Sequence, residues 1–386
     1  MPVIVTVLAG LGSIGTLSTN ILLPSLPTVA REFGVTTAAT NVILMAFFAA
    51  FALSQLIVGP LSDRYGRRKV VLAGLVVFAI GSAVCFVAGS LPQMVVGRVV
   101  QALGASAASV LARAIARDLF TGADLGRVLS FVMIAMAAAP GFSPLLGGVL
   151  EQSFGWRSAF VFVGAFGLLL AAGYALALGE TNRAPTARLD LSSMASGYWG
   201  LAKNIRFVGP SVAVALMMGG LFAFFSASPA VFIEGFGLSP IMFALVPAAM
   251  VFVVFGAGMV GPRLARRFGA GAAVKGCLLV SVAGGAGLWA AGLAHLDSMS
   301  LVIAATTLFL FGMGAVNPLS TAIALAPFGD RAGLASALLG FFQMAGAALG
   351  AALALSVARD PVTSLGLVLG VFSLVGWIAF RAAKAD

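Results

Sequence analysis

The chain has 386 residues, 61% of them apolar and only 9% charged, with a formal net charge of +10 and a mean hydropathy of +1.11. Soluble domains carry about 25% charged residues, so this composition excludes water as the main solvent. It also excludes a nucleic-acid-binding reading of the net charge, because the cations sit at the ends of apolar stretches without interleaved exposed aromatics.

Apolar stretches of about 20 residues, each able to cross a hydrocarbon core of roughly 30 Å, recur from end to end. They predict about twelve spans, at approximately 3–23, 38–60, 69–89, 92–113, 126–150, 156–178, 208–230, 239–261, 272–294, 299–319, 332–357 and 362–380. An even number of spans puts both termini on one side. Lys and Arg in short loops stay in the cytoplasm, and eighteen of the 22 fall on the side of the termini, including Arg64, Arg67, Arg68, Arg117, Lys203, Arg266 and Arg381; only Arg31, Arg157 and Arg359 fall opposite. The reading is an inner-membrane protein with cytoplasmic termini.

Span 1 opens with Met1-Pro2-Val3, which is not the basic start of a cleaved leader, carries Asn20 about four residues from its outer end, and runs out in Leu23-Pro24-Ser25-Leu26-Pro27. After span 2 comes Gly59-Pro60-Leu61-Ser62-Asp63-Arg64-Tyr65-Gly66-Arg67-Arg68-Lys69. Here Gly66 allows a tight turn and Asp63 can pair with the Arg cluster. Span 4 holds Gly97-Arg98-Val99-Val100-Gln101. A guanidinium at this depth costs about 2.5–3.5 kcal/mol on insertion scales, which predicts that Arg98 faces the bundle interior with a partner. The competing reading is that it snorkels to the outer interface. Span 5 contains Ala139-Pro140-Gly141-Phe142-Ser143-Pro144-Leu145-Leu146-Gly147-Gly148 and ends at Glu151. Its two prolines favour a bend, and Gly147 and Gly148 permit close helix approach.

The polar stretch 181–207 reads as a cytoplasmic linker between halves 1–180 and 208–386. The halves weakly repeat. Gly261-Pro262-Arg263-Leu264-Ala265-Arg266-Arg267-Phe268-Gly269 after span 8 echoes the segment after span 2, and Glu234-Gly235-Phe236-Gly237-Leu238-Ser239 after span 7 echoes Arg31-Glu32-Phe33-Gly34-Val35-Thr36. Such duplication underlies rocking transport around a midplane site. Cys85 and Cys277 lie in apolar spans and read as free thiols; a single His, His295, gives no cluster of metal-ligand type. No cofactor is expected, and no nucleophile and base arrangement of the kind an enzyme requires is evident.

The segment 59–69 resembles the loop 2–3 signature of the major facilitator superfamily, which implies an all-α membrane fold of two six-helix bundles with pseudo-two-fold symmetry. In that family the loop is a gate latch, here Gly59, Asp63, Arg64, Gly66, Arg67 and Arg68. Segment 97–105 is similar to the family's second signature, with Ala102 where Gly is usual. Segment 139–148 resembles the antiporter signature, which points to export and rests on Pro140, Gly141, Pro144, Gly147 and Gly148. The bicyclomycin-resistance group of drug:proton antiporters is the nearest resemblance, through Leu23 to Pro27, Arg117-Asp118, Ser130-Phe131-Val132-Met133, Gly155-Trp156-Arg157, Gly179-Glu180-Thr181 and Ser228-Pro229-Ala230-Val231-Phe232-Ile233-Glu234. That group usually has an Asp where this chain has Asn20.

The resemblance implies a monomeric exporter of drugs or small amphipathic molecules working by alternating access. Asn20, an amide that cannot titrate, implies weak proton coupling, with Glu234 and Glu151 the next acids able to carry protons. Arg98 has no evident carboxylate partner: either Asn20 and backbone carbonyls solvate it, or an anionic substrate does. The second reading is therefore an uncoupled facilitator or an organic-anion exporter that uses Arg98, with Gln101 one turn away. A third, a non-transporting sensor, would require a signalling domain.

Overall fold

The structure is a computed structural model that describes residues 2–182, 191–296, 298–358 and 360–383. Arg183, Arg188, Arg359 and Lys384, used above for topology, lie outside the described residues. All regular structure among those described is helical. In chain order the helices are α1 (Pro2–Asn20), α2 (Leu26–Phe33), α3 (Thr37–Tyr65), α4 (Arg67–Phe86), α5 (Leu91–Leu119), α6 (Gly122–Phe154) and α7 (Arg157–Ala177). They continue with α8 (Leu191–Ala202), α9 (Ile205–Ser228), α10 (Pro240–Phe268), α11 (Ala270–Leu293), α12 (Met299–Leu325), α13 (Ala332–Leu353) and α14 (Pro361–Ala382). Eleven helical runs are long and apolar enough to cross a membrane, and α6, counted as one bent span, makes twelve.

Only a hydrogen-bonded helix satisfies every backbone group in hydrocarbon, so interruptions need local causes. Span 1 breaks after Asn20 because Pro24 lacks the N–H that would bond to the Asn20 carbonyl four residues back. The chain makes a 3-10 turn at Leu23–Ser25 and resumes as α2, which ends at Gly34 with φ 65°. Helix α6 turns by 41° between Met136 and Ala138, where the Pro140 ring clashes with the carbonyl of Met136. Span 7 ends in a π-helix, Pro229–Gly235. Several helices outrun the predicted spans, α3 to Tyr65, α5 to Leu119 and α10 to Phe268, because a helix continues into the polar interface beyond the apolar stretch that hydropathy detects.

The helices form two compact units. The first comprises Met1–Thr36, Ala46–Asp190 and Pro240–Ala248; the second comprises Thr37–Met45, Leu191–Ser239 and Ala249–Asp386. The main division falls inside the stretch 181–207, part of which is the helix α8. Within the first unit α1 packs on α5, α6 and α7, and α4 on α5 and α7. Within the second, α9 packs on α12, α13 and α14, and α11 on α12 and α14. Each pairing in one unit has its counterpart in the other, as expected of a duplicated six-span bundle.

Candidate functional site

Arg98 lies in α5 with none of its surface exposed, so it does not snorkel. Its first partner is produced by the break in span 1. The last four carbonyls of a helix have no intrahelical donor, and Ser18 O, in the last turn of α1, accepts from Arg98 Nη1 at 3.0 Å. The same nitrogen donates to Gln101 Oε1 one turn along α5. Gln101 Nε2 donates to Ser82 Oγ of α4 at 2.8 Å, and Ser82 Oγ to Phe78 O at 2.9 Å. A polar chain thus crosses from α1 through α5 to α4 and fixes which way the Gln101 amide points.

The guanidinium also lies 4.3 Å from the ring centroid of Phe47, which stacks in turn on Phe51. A hydrogen bond from a charged group contributes about 1.5–3 kcal/mol and a desolvated cation–π contact about 2 kcal/mol. Together these match the insertion cost of about 2.5–3.5 kcal/mol, so Arg98 can remain charged without a carboxylate. No acid pairs with it among the described residues. Nε and Nη2 of Arg98 have no protein hydrogen-bond partner. Asn20 is also fully buried, but its Nδ2 donates to Thr16 O of its own helix at 2.8 Å, and its Oδ1 has no partner. The carbonyl of Ser18 and the side chain of Gln101 solvate the cation, and Asn20 makes no hydrogen bond to it.

A second cluster assembles at the end of the first unit where α3 and α5 end and α4 begins. Gly66, with φ 91°, precedes α4. The exposed N–H groups of a helix start favour a carboxylate, and Glu180 supplies it: Oε1 accepts from Arg67 N at 2.8 Å and Oε2 from Arg68 N at 3.2 Å. A Cβ on Gly66 would lie 2.3 Å from Glu180 Oε2, so this glycine serves both the turn and the cap. Arg67 ties the rest together through ion pairs with Asp63 and, by Nε at 3.2 Å, Asp118, and a hydrogen bond to Ser62 Oγ. Arg68 Nη2 donates to Ala175 O at 3.1 Å, Thr181 Oγ1 to Asp118 Oδ2 at 3.1 Å, and Asn182 Nδ2 to Asp63 O at 2.9 Å.

Burial works to raise the Glu180 carboxyl, but hydrogen bonds from the backbone N–H groups of Asn182, Arg67, Arg68 and Thr181 hold it below the usual range. Asp118 and Glu180 were not among the site residues read from sequence. Their only signal was the dipeptide Arg117-Asp118 and the tripeptide Gly179-Glu180-Thr181. Arg64 stacks on its neighbour Tyr65, 5.1 Å from Cζ to centroid, outside the network. Gly59 has open space where its Cβ would point.

In α6, Pro140 sits just past the bend, and Gly141 and Pro144 are buried. A Cβ on Gly147 would lie 1.9 Å from Ile21 O, so this glycine lets α6 close on the break in span 1; Gly148 lies against Pro240 O, 3.0 Å from where its Cβ would be. Glu151 Oε2 is buried without a partner. Glu234 stands in the π-helix after α9 and accepts a hydrogen bond from Thr37 Oγ1. Within the first unit the site residues therefore fall into separate groups: Arg98 with Gln101, the loop cluster around Arg67, and the α6 glycines against span 1 with Glu151 one turn further along α6.

A family model described as Major Facilitator Superfamily matches residues 8–351. The chain belongs to the Major Facilitator Superfamily. Two relatives give the family its local colour. Multidrug resistance protein D of Escherichia coli is 30% identical over 379 residues, covering 94% of this chain and 91% of the relative. The bicyclomycin resistance protein homolog of Haemophilus influenzae is 27% identical over 368 residues, covering 94% and 91%. Among solved structures, a bacterial homolog of the human lysosomal transporter Spinster superposes with a TM-score of 0.76 at 16% identity, covering 98% of this chain and 96% of that one. A likeness at that identity speaks for the fold. The superfamily assignment makes this a multi-pass membrane transporter and not an enzyme.

Proposed function

We propose that this Major Facilitator Superfamily member exports drugs or other small amphipathic molecules by alternating access of its two six-span halves. The observation that carries the reading is α6, where the bend before Pro140 and the closure of Gly147 on Ile21 O give physical content to the antiporter-type segment. The relatives named for multidrug and bicyclomycin resistance support it. The cluster around Arg67 is the inner latch of this reading, and the termini are cytoplasmic.

Proton coupling at the span-1 position is weak or absent. Asn20 is an amide whose nitrogen is committed to Thr16 O, and Arg98 is solvated by a carbonyl, an amide and a ring rather than paired with an acid. Glu234 and Glu151 are the next carriers to consider. A second reading, uncoupled export of an organic anion, draws on the unpartnered Nε and Nη2 of Arg98. Efflux measured in cells stripped of their own exporters, followed by flux into everted vesicles with and without a protonophore, tests both. Downhill entry of neutral or cationic drugs that is unchanged by the protonophore supports the first reading with weak coupling. Accumulation of organic anions alone supports the second, and no substrate-dependent flux refutes export.

A further inference from the structure

The duplicated halves treat their charged ends differently. Gly66 (φ 91°) starts α4 and Gly269 (φ 87°) starts α11, and the residues before each glycine repeat the same contact, Arg64 over Tyr65 at 5.1 Å and Arg267 over Phe268 at 5.2 Å. In that register Asp63 of the first unit corresponds to Arg266 of the second, and Arg67 to Ala270. The carboxylate of Glu180 fills the space over Gly66, whereas nothing lies within 4 Å of a Cβ built on Gly269. The first unit therefore gathers three acids, Asp63, Asp118 and Glu180, around Arg67, while Arg64, Lys69, Arg117 and Arg127 form no ion pair among the described residues.

Among the described residues the second unit has no such cluster of acids. Because successive spans run in opposite directions, the start of α9, the end of α10, the start of α11 and the end of α14 share one end of the unit. Lys203, Arg206, Arg263, Arg266, Arg267 and Arg381 are all exposed there, and among the described residues none of the six forms an ion pair. Glu234 and Asp360 of this unit stand at the opposite end, one after α9 and the other capping α14, and Asp330, in the turn between α12 and α13, is the one acid of the described backbone at this end. Apolar side chains edge the patch. Trp199 of α8 is 64% exposed with Lys203 Nζ 4.8 Å from its ring, Phe268 is 60% exposed and Ile205 53%. Six exposed cations at one end of the unit, without an ion pair among the described residues, repel each other and attract any anion, and exposed aromatics beside them mark the depth of lipid headgroups.

We propose that this end of the second unit, and not its counterpart in the first, is a binding surface for anionic glycerophospholipids, with Arg266 and Arg267 on the phosphate and Trp199 and Phe268 beside the acyl boundary. Clustered cations next to a membrane-embedded helix attract anionic lipid in this way. The occupant is lipid rather than a soluble anion because the patch is edged by side chains that need an apolar neighbour.

The test uses the full chain in nanodiscs of equal phosphatidylcholine and phosphatidylglycerol, with the lipids retained after gentle extraction counted by native mass spectrometry. The wild type should retain phosphatidylglycerol preferentially. R266Q/R267Q should lower that preference by about fivefold per cation removed, and R127Q in the first unit should leave it in place. Because a double variant can fold poorly, the wild type is also extracted at about 1 M salt, where the screening length falls to about 3 Å; the preference should collapse there too. Equal retention of the two lipids by the wild type, or a loss in R127Q as large as in R266Q/R267Q, or a preference indifferent to salt, overturns the proposal.

Discussion

Replacing Gly147 with alanine puts a methyl carbon 1.9 Å from Ile21 O and 2.9 Å from Ile21 C. Real side chains essentially never come closer than 3.0 Å, so α6 and the break in span 1 must separate by roughly 1.1 Å. Both sides of the contact are backbone, so no rotamer change relieves it. Overpacking of this kind costs about 1–3 kcal/mol, and the better helix propensity of alanine returns up to about 1 kcal/mol. A net loss of up to about 2 kcal/mol follows. The displaced segment also carries the Ser18 carbonyl that holds Arg98, so transport should fall along with stability. Thermal unfolding in detergent, followed by the size-exclusion profile, measures the first, and vesicle flux the second. Gly276→Ala in α11, where a Cβ meets nothing within 4 Å, is the control and should be neutral or slightly stabilising. If Gly147→Ala unfolds at the same temperature as the wild type, the close approach of α6 to span 1 is not as described.

Three further outcomes are expected. Gly66→Ala should destabilise the first unit by about 1–3 kcal/mol, since it combines a left-handed φ with a contact of 2.3 Å to Glu180; an unchanged unfolding temperature would refute the dual role of this glycine. The Glu180 carboxyl is held below its ordinary value of 4.5 by backbone N–H groups that outweigh burial. Its contribution is therefore complete above that value and lost as pH falls through the lower folded value, so Glu180→Gln should be less stable than the wild type at neutral pH and the difference should shrink in acid. A gap in unfolding temperature that is constant with pH would show that the charge is not what matters. Asn20→Asp should make vesicle transport respond to an imposed proton gradient, read as proton flux accompanying substrate. Stoichiometric proton movement already present in the unmodified chain would instead point to Glu234 or Glu151.

The spans, their number and the duplication were legible in sequence because crossing hydrocarbon is a local requirement, met by some 20 consecutive apolar residues. So was the bend of α6, since proline acts on the carbonyl four residues behind it whatever the surroundings, whereas Pro24 and Pro27 read as the end of span 1 and the structure carries the helix on past them to Phe33. Burial of Arg98 followed from the cost of an unshielded cation in the membrane. Of its partners only Gln101, one turn along the same helix, was within reach of the sequence; the others did not follow, because one is a carbonyl exposed by a helix break 80 positions away and the other is an aromatic face on a different helix. Asp118 and Glu180 were likewise scraps of sequence until folding placed them against Arg67 and the start of α4. The charges at the end of the second unit were all visible in the sequence, but whether each had an acid beside it was not. Composition counts charges, whereas pairing depends on distances of a few ångströms between residues far apart in the chain, and only the tertiary structure sets those.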